Sequence, residues 1–336
     1  MGNNDCPKIL RYLGIGLETD FGTPVDAEVH MDITNGNLDS PSEPEMTYDG
    51  GLSRGIRVHK PGAYISEGTV GYAMDINSIF WLLYLVFGNL TIDEEGEGPV
   101  LYDYNFVPKR HDLCLPSATF RLGKDHYEHV FPGCVVSQIE ISVDDEFAQV
   151  TATVVGGKDI KADVIIDLST LELPDQYPLA FHELNISLGG GDRSADINSI
   201  TLTINNNANG DEGVKMGSRY PQKIYAGDID VSASVDVDFV NMDEKEAFWG
   251  AAGGVSDDGS TTSDITLTFG TENDGDLIFT IPKLLLTEVP HQPSGRDTLV
   301  QSISGTAIFD DDSDTEIAAK IEGTEIDYDT LAALPA

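Results

Sequence analysis

Four side chains in one stretch have the types and spacing of a zinc site. His111, Cys114, His126 and His129 read H-x2-C-x11-H-x2-H. Imidazole nitrogens and a thiolate in two close pairs suit a tetrahedral Zn2+. The competing reading is a set of scattered polar residues on a long hairpin or loop. Residues three apart on a strand point to opposite faces, so a strand at either pair spoils the site. Neither of two acidic turns, DEEGEG at Asp93–Gly98 and DDDSD at Asp310–Asp314, matches the EF-hand spacing with its central Gly and final Glu; they read as solvated loops. SLGGGD at Ser187–Asp192 lacks the Lys-Ser/Thr of a phosphate loop and the G-x-G-x-x-G spacing. No G-x-S-x-G, H-E-x-x-H or Ser/His/Asp set is present. With 58 Asp and Glu among 336 residues, two neighbouring carboxylates mean nothing. The sequence gives no positive sign of an enzyme and requires no cofactor.

The same acids bound the possible partners. A formal charge of −39 repels nucleic acid instead of gripping its phosphates. It also repels itself at low salt, so the chain is expected to need high ionic strength, as proteins of a salt-loving cell do. Cys6, Cys114 and Cys134 are too few and odd in number for a disulfide framework. The longest apolar block is Ile79–Phe87, nine residues. A membrane span needs about 20, so the block reads as a buried helix. Met1–Leu10 has no basic region followed by an apolar one, so no secretory signal is read and synthesis in the cytoplasm is expected.

The elements that must position these residues are mostly strands. Thirty-four Gly, 16 Pro and many short alternating runs make the chain mainly β. The cleanest run is GDIDVSASVDVDF, Gly227–Phe239. Ile229, Val231, Ala233, Val235, Val237 and Phe239 share one parity; Asp228, Asp230, Ser232, Ser234, Asp236 and Asp238 share the other. Period two places one face on a core and one in water. At about 3.3 Å per residue the strand would span about 40 Å. NMDEKEAFWG, Asn241–Gly250, follows with the end signals of a short helix. In the first half, YISEGTVGYAMDI (Tyr64–Ile76) is a looser strand; Asn77 or Ser78 caps a helix over Ile79–Phe87, and Gly88 ends it. Each half thus has a strand, a helix with a Trp (Trp81, Trp249) and a Gly. Gly123 and Gly270, Pro132 and Pro282, and Gly156 and Gly305 stand 147, 150 and 149 residues apart. We read an internal duplication joined in Ser169–Ala180, with domains at 1–172 and 173–336. Ile79, Phe80, Trp81, Leu82, Leu83 and Leu85 form a helix apolar all round, so both its sides must be covered: one by its own sheet, the other by the second repeat or another subunit.

YLGIGLETDFGTP, Tyr12–Pro24, resembles the opening of the major tail tube proteins of long-tailed viruses. Tyr12, Gly14, Gly16, Glu18, Phe21, Gly22 and Thr23 carry the match, and the units at Tyr64–Gly88 and Phe131–Ser142 are similar to the family pattern. The acidity is similar to what a virus of halophilic archaea would need. The resemblance implies two tandem β-sandwich or barrel domains, each flanked by a short α-helix. Their inner sheets would join around a lumen, in stacked rings of six domains. With the duplication it implies a homotrimer with pseudo-sixfold symmetry, a component of the virion tail. Its partners would be itself, a tape-measure protein and tail-end proteins, with DNA passing through unbound and no membrane. Asp228, Asp230, Asp236 and Asp238 would face the lumen, and loops at Val25–Lys60 and Asp93–Leu115 would be arms to the next ring. Two rivals stand beside it: a β-sandwich virion decoration or receptor- and glycan-binding protein, and a zinc-dependent enzyme or metal-stabilised domain.

Overall fold

The computed structural model describes residues 11–39, 45–48, 56, 58–95, 101–124, 127–162, 177–239, 242–257, 259–271, 275–290 and 300–324. The fold is mainly β, with two α-helices among the described residues. In the first half β1 (Arg11–Leu17), β2 (Val29–Asp32), β3 (Asn35–Gly36), β4 (Glu45–Tyr48), β5 (Val58–Pro61) and β6 (Ser66–Ala73) precede α1 (Ile76–Phe87). There follow β7 (Gly88–Glu95), β8 (Leu101–Pro108), β9 (Ala118–Lys124), β10 (Tyr127–Val143), β11 (Gln149–Gly156) and β12 (Ile160–Lys161). In the second half β13 (Leu184–Leu188), β14 (Gly191–Asp192), β15 (Ile197–Asn205) and β16 (Asp230–Asp238) precede α2 (Asp243–Trp249). There follow β17 (Thr262–Thr271), β18 (Gly275–Glu288), β19 (Val300–Ala307) and β20 (Ala318–Thr324).

Local signals account for most element ends. The N-cap of α1 is Asp75, not Asn77 or Ser78: its carboxylate accepts the Ser78 N–H at 2.9 Å. A carboxylate three residues upstream meets that donor without displacing an apolar residue from the helix. Gly88 closes the helix at φ 73° and Gly250 closes α2 at φ 76°, a left-handed turn that glycine adopts without a Cβ clash. Strand β16 alternates as expected but has nine residues and stops short of Gly227 and Phe239. Its ladder to β15 ends at Asp230↔Asn205, so the 40 Å strand is not formed. Gly189 and Gly190, at φ 63° and 74°, turn SLGGGD into the β13–β14 hairpin.

Strand pairing repeats along the chain. The first half carries the antiparallel series β1-β9-β10-β11-β6. The second carries β13-β17-β18-β19-β16. Strand β12 lies beside the start of β10 as β20 lies beside the start of β18. Strands β10 and β18 each leave one set of partners for another through two bulges. In β10 they fall between Phe131 and Cys134 and between Val136 and Gln138; in β18 they fall between Ile281 and Leu284 and between Leu286 and Glu288. Corresponding residues stand 150 apart, the spacing of Pro132 and Pro282. The two glycine pairs are not equivalent positions. By register Gly123 matches Thr268, and Gly156 matches Ala307, each two residues from the glycine that looks like its mate.

Two ladders join the halves. Strand β10 pairs with β15, and β8 pairs with β20. In the segment Asp93–Leu115, expected to be a loop, Asp93–Glu95 and Leu101–Pro108 are therefore strand: β7 pairs with β8, and Tyr104 and Phe106 turn inward and are buried. One apolar cluster reaches from Leu13 to Ile321.

Candidate assembly surfaces

A run of six strands, β6-β11-β10-β15-β16-β19, has one face on the core and one turned away. Val70, Ala152, Ile139, Leu202, Val235 and Ile303 point inward from successive strands and are buried. The opposite face carries Glu67 and Thr69, Thr151 and Thr153, Gln138, Glu140 and Ser142. It continues with Thr201 and Thr203, then Asp230, Ser232, Ser234 and Asp236, then Ser302 and Ser304. These are short acids, hydroxyls and amides, with no Lys or Arg among them. The acids lie flat. Asp236 accepts from Ser199 Oγ at 3.0 Å and from Ser302 Oγ on the other side. Asp238 accepts from Asn198 Nδ2 at 2.8 Å and Asp230 from Asn207 Nδ2 at 2.7 Å. Asp228 stands apart. It precedes β16 and lines a cavity of about 480 Å³ with Lys109, Arg110 and His111. Sequence alternation finds the acids of β16. The hydroxyl paving becomes one face with them only where pairing brings β6, β11, β10, β15 and β19 beside β16.

The opening stretch Tyr12–Thr23 forms a clasp at the other end of β10. The Glu18 carboxylate accepts four hydrogen bonds: from Gly22 N at 2.9 Å, Ser117 Oγ at 2.9 Å, Thr119 Oγ1 at 2.7 Å and Gly133 N at 2.8 Å. It thus ties β1 and its turn to the first bulge of β10, where Gly133 has φ 71° under the Phe21 ring. The Tyr12 ring lies across Gly123, its partner in register; a Cβ there would fall well inside contact distance of the ring. Tyr12 O–H donates to the fully buried Glu128, which also pairs with Arg121 at 3.0 Å. Burial and the Glu128 hydrogen bond push the Tyr12 hydroxyl above its usual range. Gly16 leaves room for the Asp26 carbonyl, and Gly14 for Ala27 and His30. The motif is structural: each residue type answers a close approach or an orphan N–H. Thr23 joins it through its backbone, donating to Asp20 O at 3.1 Å.

A family model described as phage tail tube protein matches residues 10–307. The chain belongs to the phage tail tube protein family. It is a structural tail tube protein and a component of the virion. No curated protein matches it.

The chemistry candidates of this tail tube protein are dispersed. His126 lies outside the described residues. His129 is on strand β10 and meets Asp159 through Nδ1 at 2.8 Å, while His111 is exposed on the loop after β8. Among the described residues no three His, Cys, Asp or Glu side chains are grouped to hold a metal ion. The acidic turn at Asp310–Asp314 is not simply solvated. Asp310 is buried and meets Lys283 Nζ at 2.6 Å and Ser313 N and Oγ at 2.9 and 2.7 Å, which hold its carboxyl below the usual range. Arg110 stacks on Phe309 at 3.5 Å and pairs with Asp314 at 2.8 Å. The turn is thereby pinned to the loop after β8.

Helix α1 is buried along its whole length, including Ile79, Phe80, Trp81, Leu82, Leu83 and Leu85. It packs against β10, β7 and β8, and with every residue buried its second side is covered within the chain. Phe80 meets Tyr104 and Phe106 of β8 edge-on at 5.0 and 5.4 Å. Helix α2 is shorter, with Phe248 and Trp249 half-buried. No helix among the described residues is long and apolar enough to cross a membrane.

Proposed function

We propose that the chain is the repeating unit of a hollow tail tube, built as a tandem duplication with domains at 1–172 and 173–336. Three copies close into a pseudo-sixfold ring, and rings stack around a tape-measure protein between tail-end proteins. The observation that carries this reading is the repeated strand series, with both bulges of β10 recurring 150 residues on in β18. A tube protein with two equivalent domains needs half as many chains per ring as one with a single domain.

In this reading the face bearing Asp230, Asp236 and Asp238 lines the lumen, with Asp228 near its rim. A wall without Lys or Arg forms no counterion-releasing contacts with phosphates, so DNA slides past without binding. The two-stranded β4–β5 sheet, with Met46, Ile56 and Val58 exposed on or beside it, is the arm to the next ring. Helix α1 holds the two domains together through the hairpin that pairs with β20. The net charge of −39 fits a long-tailed virus whose host is a halophilic archaeon, since such a surface stays compact only where salt screens it.

Negative-stain electron microscopy of the purified chain in high salt, with its solution mass, tests the proposal. Hollow rings or tubes of three chains per ring are expected. Six chains per ring would overturn the trimer and keep the tube. A closed particle that binds glycan would replace the tube with the receptor-binding reading.

A further inference from the structure

The ladder by which β8 meets β20, and so the first half the second, is irregular at one point. Ile321 is opposite Tyr104, but the next pair is Thr324 with Tyr102, so Glu322 and Gly323 together face Asp103. Gly323 has φ 69°, the left-handed conformation that lets a strand bulge. Asp103 is 3% exposed, and both its carboxyl oxygens are met from β20. Gly323 N donates to Oδ1 at 2.9 Å. Lys320 Nζ lies 2.9 Å from Oδ2, and Glu322 Oε1 lies 3.1 Å from the same Nζ. An amine, a buried carboxyl and a second carboxylate thus stand in line, with a backbone N–H on the far oxygen of the buried group.

We propose that Lys320 and Asp103 condense to an amide within the chain, a covalent fastening between its two halves. Lys320 Nζ is the nucleophile and Asp103 Cγ the acceptor. The Nζ–Cγ bond forms, the Cγ–Oδ2 bond breaks, and Oδ2 leaves as water with two of the three ammonium protons. Glu322 carries protons from Nζ to the departing oxygen as general base and then acid. Gly323 N–H faces Oδ1, where negative charge grows in the tetrahedral intermediate. The reaction consumes no oxidant or other reagent. Burial of Asp103 works against the ion pair and towards the neutral acid and amine that react. The hydrogen bond to Asp103, and after it the one to Glu322, works the other way and holds the Lys320 pKa above its ordinary value. The neutral amine is therefore a minor species and closure is slow. It follows folding, since the three side chains meet only in the finished ladder.

A second lysine–aspartate pair serves as the comparison. Lys283 Nζ lies 2.6 Å from the buried Asp310, whose other oxygen is met by Ser313. Among the described residues no second carboxylate pairs with that amine, so the group that would carry protons is missing there. Closure is expected at Lys320 alone.

The bond lies within one chain and does not depend on the tube reading. It is tested by holding the folded full-length chain at neutral pH in high salt for weeks and following its intact mass. Loss of the mass of one water is expected, with a branched peptide joining Lys320 to Asp103 in the digest. Lys320→Arg keeps the charge without a nucleophilic amine and is expected to stay at the mass of its sequence. Glu322→Gln changes an exposed side chain and should slow the loss by about a hundredfold; equal rates would remove Glu322 from the step. A wild-type chain that keeps the full mass of its sequence overturns the proposal. So does a lost water that persists in Lys320→Arg, or that maps to Lys283 or to a cyclic imide at an Asp-Gly pair such as Asp258–Gly259.

Discussion

Glu18 and Gly123 show how much of the opening motif is explained by single atoms. The Glu18 carboxylate is the acceptor for two backbone N–H groups and two hydroxyls. Alanine there leaves Gly22 N and Gly133 N without that partner, and a lost acceptor of this kind costs about 1–3 kcal/mol. Denaturant unfolding in high salt is expected to report a loss of that size, with Glu18→Gln recovering part of it. Gly123→Ala acts by crowding. The Tyr12 ring cannot swing aside while its hydroxyl is held by Glu128, so overpacking of about 1–3 kcal/mol is expected. In a Tyr12→Ala background the same change should cost much less, and the double-mutant cycle isolates the clash. Glu18 and Tyr12 are visible in the sequence as part of a family-like pattern. Their partners are not, since Gly133 and Glu128 lie more than a hundred residues away and become neighbours only through the β1–β9–β10 ladder.

At the scale of the element, α1 decides whether the first half folds. Nine consecutive apolar residues identify it as buried, and Gly88 marks its end; the sequence leaves open what covers the outer side. The β7–β8 hairpin does so, and β20 completes the sheet beyond it. Leu82→Asp puts an unpaired carboxylate into a site that is 1% exposed, a desolvation cost large enough to consume the stability of a typical domain. The expected outcome is loss of soluble, folded chain, read by expression and circular dichroism. A soluble variant that still forms rings would show that the helix can be displaced. The corresponding change on α2, Phe248→Asp, falls on a half-buried side chain and should be tolerated better. The difference between the helices has a physical reason: among the described residues, a strand pair covers the first and none covers the second.

The whole molecule is governed by charge and by where its acids sit. If the face of β16 lines the lumen, Asp230→Lys/Asp236→Lys/Asp238→Lys replaces a repelling wall with a binding one. Assembled tubes of this variant are expected to retain short duplex DNA in a nuclease-protected form, with retention falling as salt rises; wild-type tubes retain none. DNA that binds but stays open to nuclease would place the face on the exterior. Assembly itself should weaken as salt is lowered, because copies carrying a formal −39 each repel across any contact once screening fails. Light scattering across a salt series measures this.

What the sequence by itself determined was local and periodic. Alternation in Gly227–Phe239 set which side of that strand meets the core, though not its ends. The apolar block Ile79–Phe87, ended by Gly88, set a buried helix, and Pro132 and Pro282 marked equivalent points of two similar halves. These follow from the geometry of one element, in which neighbouring side chains are placed by the backbone alone. What only the tertiary structure decided was every relation between distant segments. Two glycine pairs that look equivalent are two residues out of register, because the connections between the paired strands are longer in the second half while the bulges recur in place. A segment read as a loop became the hairpin that roofs the helix. An acidic turn read as solvated buried Asp310 against Lys283. The hydroxyl-paved face emerged from six strands whose order along the sheet is not their order along the chain. Such relations depend on which edges meet, and edge pairing is settled by the packing of the whole core.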